Sequence, residues 1–302
     1  MSCGQIALNR IGIKPDKYFA SEIDKYAIKI TQKNYPNTIQ IGDVTKVSYK
    51  DGILYTENGN FEIENIDLVM GGSPCQGFSN AGKGLNFDDP RSKLFFEFVR
   101  ILNEVKSTYF LLENVKMKKD YQNIISEYLN VEPILINSAL VSAQDRKRLY
   151  WTNIKNVKQP KDKHIYLKDV LINKDFVIDQ NDSNKILIRR RGHEYFIIKN
   201  DYKDLFRIEP SMIKAIENKK CKILTDDDKS HTCTTKQRRW NNSGFIYDEN
   251  KLRYLHPIEC ERLQTIPDNY TEGVSNTQRY KMLGNGWTID VICHILKNMV
   301  IL

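Results

Sequence analysis

No stretch of the chain approaches the roughly 18 consecutive apolar residues that a membrane-crossing helix needs. The N-terminus lacks the basic, apolar and small-residue succession of a secretory leader. The six cysteines (3, 75, 221, 233, 260 and 293) form no C-x-x-C pair, and the five histidines fall into no H-E-x-x-H or other metal spacing. Nothing repeats at a fixed period and no tract is of low complexity. These absences argue against a membrane protein, a disulfide scaffold, a zinc ribbon and a solenoid. The expectation is an intracellular, cytoplasmic protein with reduced thiols and no metal.

What is present is ordinary apolar content, high charge and enough length, 302 residues, for one large or two modest domains. The net charge of +8 suits a polyanionic partner, although total charge alone says little. Its distribution says more. Residues 151–250 hold 21 lysines and arginines against 15 acids, so one third of the chain carries an excess of 6.

Short apolar runs alternate with helical patterns through the first half. Ile6 to Ile11 suggests a short helix closed by Gly12, and Lys17 to Glu22 a strand ending in a carboxylate. A helix over 24–34 stops at Pro36, and Ile39 to Asp43 is a second strand ending in an acid. Ile66 to Met70 reads as a buried strand, followed by the turn Gly71-Gly72-Ser73-Pro74 and at once by Cys75. A polar loop over 80–92 suits a mobile lid. Further elements are a helix over 94–105, a strand over 109–115 ending at Glu113, a helix over 120–129, and strands over 133–141 and 149–151. This rhythm predicts an α/β fold with a doubly wound, mostly parallel sheet, whose strand-end acids face a ligand crevice. From about 156 the segments become short, basic and turn-rich. A smaller domain is expected over 156–252, between a catalytic domain over 1–155 and a return segment over 253–302. A lone cysteine after a tight turn is usually packing, and a lone strand-end acid is usually a cap. What changes the reading is the company each keeps.

Six ordered blocks resemble the DNA (cytosine-5) methyltransferase family. They are Ser21-Glu22-Ile23, Gly42-Asp43-Val44, Pro74-Cys75-Gln76-Gly77-Phe78-Ser79, Glu113-Asn114-Val115, Gln144-x-Arg146-x-Arg148 and Gly284-Asn285. A seventh, Arg253-x-Leu255-x-Pro257-x-Glu259-x-x-Arg262-Leu263-Gln264-x-x-Pro267, precedes the last. Together they span the chain except its basic middle. Gly-Gly-Ser-Pro-Cys, Leu94 to Phe98, Trp287 and the short middle domain look closest to the animal de novo branch. Gln-Gly-Phe-Ser after Cys75 is the bacterial form, and a prokaryotic or viral relative of that branch is expected.

The resemblance implies an S-adenosylmethionine-dependent methyltransferase fold that methylates C5 of a flipped cytosine in double-stranded DNA. C5 of cytosine is a poor nucleophile, and a thiolate adding to C6 activates it. That role falls to Cys75. Glu113 would hold the exocyclic amine and N3, with Arg146 and Arg148 steadying the base carbonyl. S-adenosylmethionine would meet Met1, Cys3, Glu22, Ile23, Asp43, Val44, Pro74, Leu94, Asn285, Gly286 and Trp287. The loop over 77–93 would close on DNA, with Ser79 and Asn80 on phosphates and Thr234, Lys236, Arg238 and Arg239 in the recognition region. A nucleoid-associated location follows, with a homo-oligomer and a cognate restriction enzyme as further partners the resemblance admits, and no membrane. A catalytically silent or donor-deficient DNA-binding paralogue and an RNA cytosine methyltransferase are the alternatives.

One departure stands out. The family opens with a strand ending Phe-Asp/Ser-Gly that continues as something like Met-Ser-Cys-Gly, and this sequence opens at Met1-Ser2-Cys3-Gly4. The expectation is a fold without its central first strand, through residues upstream, a second polypeptide or a decayed gene. Ten to twenty added upstream residues, on the order of one strand and its turn, are expected to restore donor binding.

Overall fold

The computed structural model describes residues 1–72, 90–172, 176–178, 185–190, 193–198, 223–225, 227–235, 237, 245–248 and 251–300. Pro74, Cys75, Ser79, Asn80, Lys236, Arg238 and Arg239 lie outside them. The chain divides into two compact units. One takes Met1–Asn137, Lys147–Pro160 and Ile289–Leu302, and the other Ser138–Arg146 and Lys161–Thr288. The sequence pattern breaks at 156 and 253, whereas contacts keep 253–288 with the residues that precede them.

In the first unit α1 (Cys3–Arg10) leads to β1 (Phe19–Ser21), α2 (Lys25–Asn34) and β2 (Ile39–Gly42). The Asp24 carboxylate caps α2 by accepting from the Tyr26 N–H at 2.9 Å. β1 and β2 pair in parallel, as a βαβ unit requires. Next come β3 (Ser48–Lys50), β4 (Ile53–Thr56) and β5 (Gly59–Glu62), an antiparallel meander. Its Leu54 closes a small core with Ile41 and Val47, and Phe19 meets Phe61 edge to face at 5.4 Å.

β6 (Leu68–Gly72), α3 (Pro90–Val105), β7 (Tyr109–Val115), α4 (Lys119–Leu129), β8 (Ile134–Asn137) and β9 (Lys147–Thr152) follow. They build a four-stranded sheet in the order β6-β7-β9-β8, with β6 parallel to β7 and β9 antiparallel to both its neighbours. Phe95, Phe98 and Val99 of α3 and Ile125 and Leu129 of α4 pack with Phe110, Leu112, Leu149 and Trp151. Trp151 is fully buried and donates its indole N–H to Ser126 Oγ at 3.0 Å.

Three expectations shift. Leu68, Val69 and Met70 are half-buried rather than buried, because β6 has a hydrogen-bonded neighbour on one side only among the described strands. α3 begins at Pro90, inside the stretch read as a loop; proline's fixed φ and missing N–H suit a first helical position. The strand expected over 133–141 stops at Asn137, and Ser138–Leu140 turn as a 3-10 helix.

The second unit carries α5 (Leu167–Val170), strands β10 (Phe176–Ile178), β11 (Lys185–Arg190), β12 (His193–Ile198), β13 (Ile223–Leu224), β14 (Phe245–Asp248) and β15 (Lys251–Arg253), then α6 (Pro257–Leu263) and α7 (Asn276–Asn285). Glu259 is fully buried and accepts from the N–H groups of His256 (2.6 Å) and Ile172 (2.9 Å). Glu261 pairs with Arg279 at 3.1 Å. The last helix, α8 (Ile289–Leu296), belongs to the first unit and packs on α1, where Arg10 meets Asp290 at 2.6 Å. No helix among the described residues is long and apolar enough to cross a membrane.

Candidate active site

Tyr109 to Val115 alternates little because both faces of β7 are covered, and five of its seven residues are buried. Glu113 lies near its carboxyl end, with only 8% of its surface exposed. A carboxylate at that depth needs a partner. Arg148 of β9 supplies one, its Nε 3.0 Å from Glu113 Oε1. Glu113 sits opposite Tyr150 and Arg148 opposite Val115, so acid and base are diagonal neighbours on one face of an antiparallel pair. On its other side Glu113 is in register with Gly72, the last residue of β6, three residues before Cys75.

Gly71 sets how closely α3 approaches that strand. A Cβ there would stand 2.7 Å from Phe98 Cδ2, so the ring fills the space a side chain would take.

Residues at the ends of β1 and β2 carry the next group. Glu22 Oε1 accepts from the N–H groups of Ile23 and Asp24, both at 2.9 Å. Ile23 is 77% exposed, an apolar side chain standing beside an acid at a strand end. Asp43 Oδ1 accepts from the Thr45 N–H at 3.0 Å, and this bond is the chief cause of its lowered pKa. Val44 is half-buried. Glu57, from the β4–β5 turn, was not singled out by sequence. Its Oε2 accepts from the Asp43 N–H at 3.1 Å and its Oε1 meets Lys46 at 2.5 Å. Met1, Cys3 and Leu94 are half-buried in the same unit.

Arg146 and Arg148 part company. Two residues apart in a strand they would share a face, but Arg146 precedes β9 and belongs to the second unit. It is 2% exposed and donates to the carbonyls of Cys233 (3.0 Å), Gly284 (3.2 Å) and Gly286 (2.8 Å). Gln144 accepts from the Cys233 N–H at 2.7 Å and donates to Leu263 O at 3.0 Å. Gln264 donates to Leu283 O at 2.7 Å and accepts from Thr288 Oγ1 at 2.8 Å. Within this unit Asn285 is exposed, Gly286 buried, and Trp287 and Thr234 half-buried.

The α/β alternation, with acids at the ends of parallel strands and an arginine-paired glutamate on the central strand, fits the methyltransferase fold. A family model for C-5 cytosine-specific DNA methylases matches residues 2–300, and the chain belongs to that family. It is 32% identical over 311 residues to the type II methyltransferase M1.ScrFI of Lactococcus lactis subsp. cremoris, covering 95% of this chain and 72% of that protein. It is 27% identical to the type II methyltransferase M.HhaI of Haemophilus parahaemolyticus, over 93% of this chain and 86% of that one. In fold it is similar to the Entamoeba histolytica methyltransferase EhMeth, with a TM-score of 0.72 at 19% identity, covering 97% and 92% of the two chains. The protein is a DNA cytosine-5 methyltransferase.

Proposed function

We propose that the chain methylates C5 of a flipped cytosine in double-stranded DNA through a covalent bond between Cys75 and C6. The observation that carries this reading is the register of Gly72 with Glu113 beside the Glu113–Arg148 pair. It sets the acid next to the strand end from which the cysteine follows. The Cys75 thiolate forms the S–C6 bond and pushes the C5=C6 electrons into the ring. Glu113 holds the exocyclic amine and N3, where that density collects, while Arg148 fixes the carboxylate that does so. Once C5 has taken the methyl group that a bound donor would supply as its carbon–sulfur bond breaks, loss of the C5 proton to water re-forms the C5=C6 bond and expels the Cys75 sulfur as thiolate.

The residues present fit S-adenosylmethionine as donor. Exposed Ile23 beside Glu22 offers an adenine face and an acceptor for ribose hydroxyls, and Asp43 with Val44 an acceptor and an apolar edge. When bound, S-adenosylmethionine supplies a methyl group made electrophilic by its positive sulfur. Met1, Cys3, Pro74, Leu94, Asn285, Gly286 and Trp287 complete the donor set in this reading. Thr234, Lys236, Arg238 and Arg239, in the basic middle of the chain, are assigned to DNA contacts in this reading, as are Ser79 and Asn80.

The test uses a duplex containing 5-fluorocytosine and tritiated donor. Fluorine cannot leave as a proton does, so the wild type is expected to stall as a denaturant-stable protein–DNA adduct carrying tritium. Cys75→Ser is expected to give none. An adduct of undiminished yield from the serine variant rules the nucleophile out.

A further inference from the structure

The geometry points to Arg146 as a positioning residue that binds the recognition segment 233–235 and the turn 284–286 into one body, so that DNA and methyl donor strengthen each other's binding through it. The inference rests on the proposed function, which gives Thr234 to DNA and Asn285, Gly286 and Trp287 to the donor.

Three independent contacts join the two segments inside the second unit. The first is the guanidinium of Arg146. One of its terminal nitrogens donates to Cys233 O and the other to Gly284 O and Gly286 O, so a single rigid plane spans both. The second is Gly284 itself. A Cβ there would stand 2.3 Å from the Thr234 carbonyl carbon and 2.3 Å from the Thr235 nitrogen. The peptide bond between the two threonines therefore lies where a side chain would be, and neither backbone can yield cheaply. The third is the pair of buried glutamines. Gln144 accepts from the Cys233 N–H and donates to Gln264 Oε1 at 3.3 Å, and Gln264 donates to Leu283 O and, at 3.4 Å, to Gly286 O. Gln237 completes the segment by accepting from the Thr234 N–H at 3.0 Å.

A guanidinium this deep has exchanged water for carbonyl dipoles, and its hydrogen bonds are charge-assisted. They hold only while both segments keep their places. A ligand that fixes one segment thereby favours the arrangement of the other, and linkage makes the effect reciprocal. Lysine at this position would keep the charge but, as a compact donor, would lose the fork that spans both segments.

The experiment uses the full chain and a duplex that the wild type methylates. Calorimetry gives the affinity for S-adenosylhomocysteine with and without that duplex, and DNA affinity is measured with and without S-adenosylhomocysteine. In the wild type each ligand is expected to tighten the other by the same factor, at least about fivefold. Arg146→Lys and, separately, Gly284→Ala are expected to weaken both ligands, raise both KM values and bring that factor toward one. Circular dichroism melting checks that each variant is folded at the assay temperature, and if Arg146→Lys is not, Gly284→Ala carries the test. The inference is overturned if the wild type shows no mutual tightening. It is equally overturned if the folded variants keep it, lose affinity for one ligand alone, or lose only kcat. A wild type that methylates no DNA overturns the proposed function beneath it.

Discussion

Arg148 Nε stands 3.0 Å from Glu113 Oε1, and the two side chains are 12% and 11% exposed. The pair is thus largely withdrawn from water while lying at the strand ends where the chemistry is proposed. Replacing Glu113 by glutamine keeps the shape and removes the charge. Arg148 is then left with a weaker acceptor, at a cost of about 1–3 kcal/mol in unfolding free energy by urea titration. The methyl-transfer rate in a single turnover is expected to fall much further, by about 10²–10⁴. A rate loss no larger than the stability loss explains would mean that Glu113 is structural.

Ile23 offers the opposite case. It is 77% exposed, so Ile23→Ser should change stability by no more than about 0.5 kcal/mol. If the side chain packs on the donor, its burial there contributes about 1.5 kcal/mol or more, and donor affinity should drop about tenfold. Calorimetry with S-adenosylhomocysteine measures it. Unchanged affinity would remove Ile23 from the donor site.

Gly71 is expected to accept no larger residue. An alanine Cβ would press on the Phe98 ring, itself packed in the core, and overpacking of this kind costs about 1–3 kcal/mol. The measurement is the urea midpoint. Because Gly71 stands four residues before Cys75 in the sequence, the yield of 5-fluorocytosine adduct should fall with it.

Trp151→Phe should cost about 2–4 kcal/mol, through the space left in the core and the partner taken from Ser126 Oγ. Chemical denaturation reads it directly.

Thiol chemistry gives a further check. Cys233, Cys260 and Cys293 are buried, and burial pushes the Cys260 and Cys293 thiols up, away from the reactive thiolate. Alkylation of the native protein at pH 8, followed by peptide mapping, should leave these three unmodified. Cys75, as the proposed nucleophile, should react and be protected when DNA is bound.

Much of this was legible in the sequence, and the exceptions have physical reasons. β7 and its Glu113 followed from an unbroken apolar run ending in an acid. The β3–β5 meander shows one turn dipeptide in plain view, Asp51-Gly52, while its second turn is Glu57-Asn58 and the following Gly59 already belongs to β5. Asp51 and Gly52 both have positive φ, as a tight two-residue hairpin turn demands. The half-burial of β6 could not be read from Leu68, Val69 and Met70, because apolar content does not reveal how many neighbours a strand will find. Nor could the destination of Arg146. The spacing of Gln-x-Arg-x-Arg suggests one shared face, and only the position of the first arginine before β9 sends it to backbone carbonyls. Gly284 enters the sequence reading only as part of the Gly284-Asn285 block; it lies in the last turn of α7, and its missing side chain makes room for another segment's backbone.

The carbonyl cluster around Arg146 also bears on how sequence specificity could be transplanted between relatives. A chimera that exchanges 161–288 alone carries off Cys233, Gly284 and Gly286 together and leaves the arginine with the host. The graft that keeps donor and acceptors in one parental sequence must include Ser138–Arg146, nine residues taken from upstream of the segment being swapped.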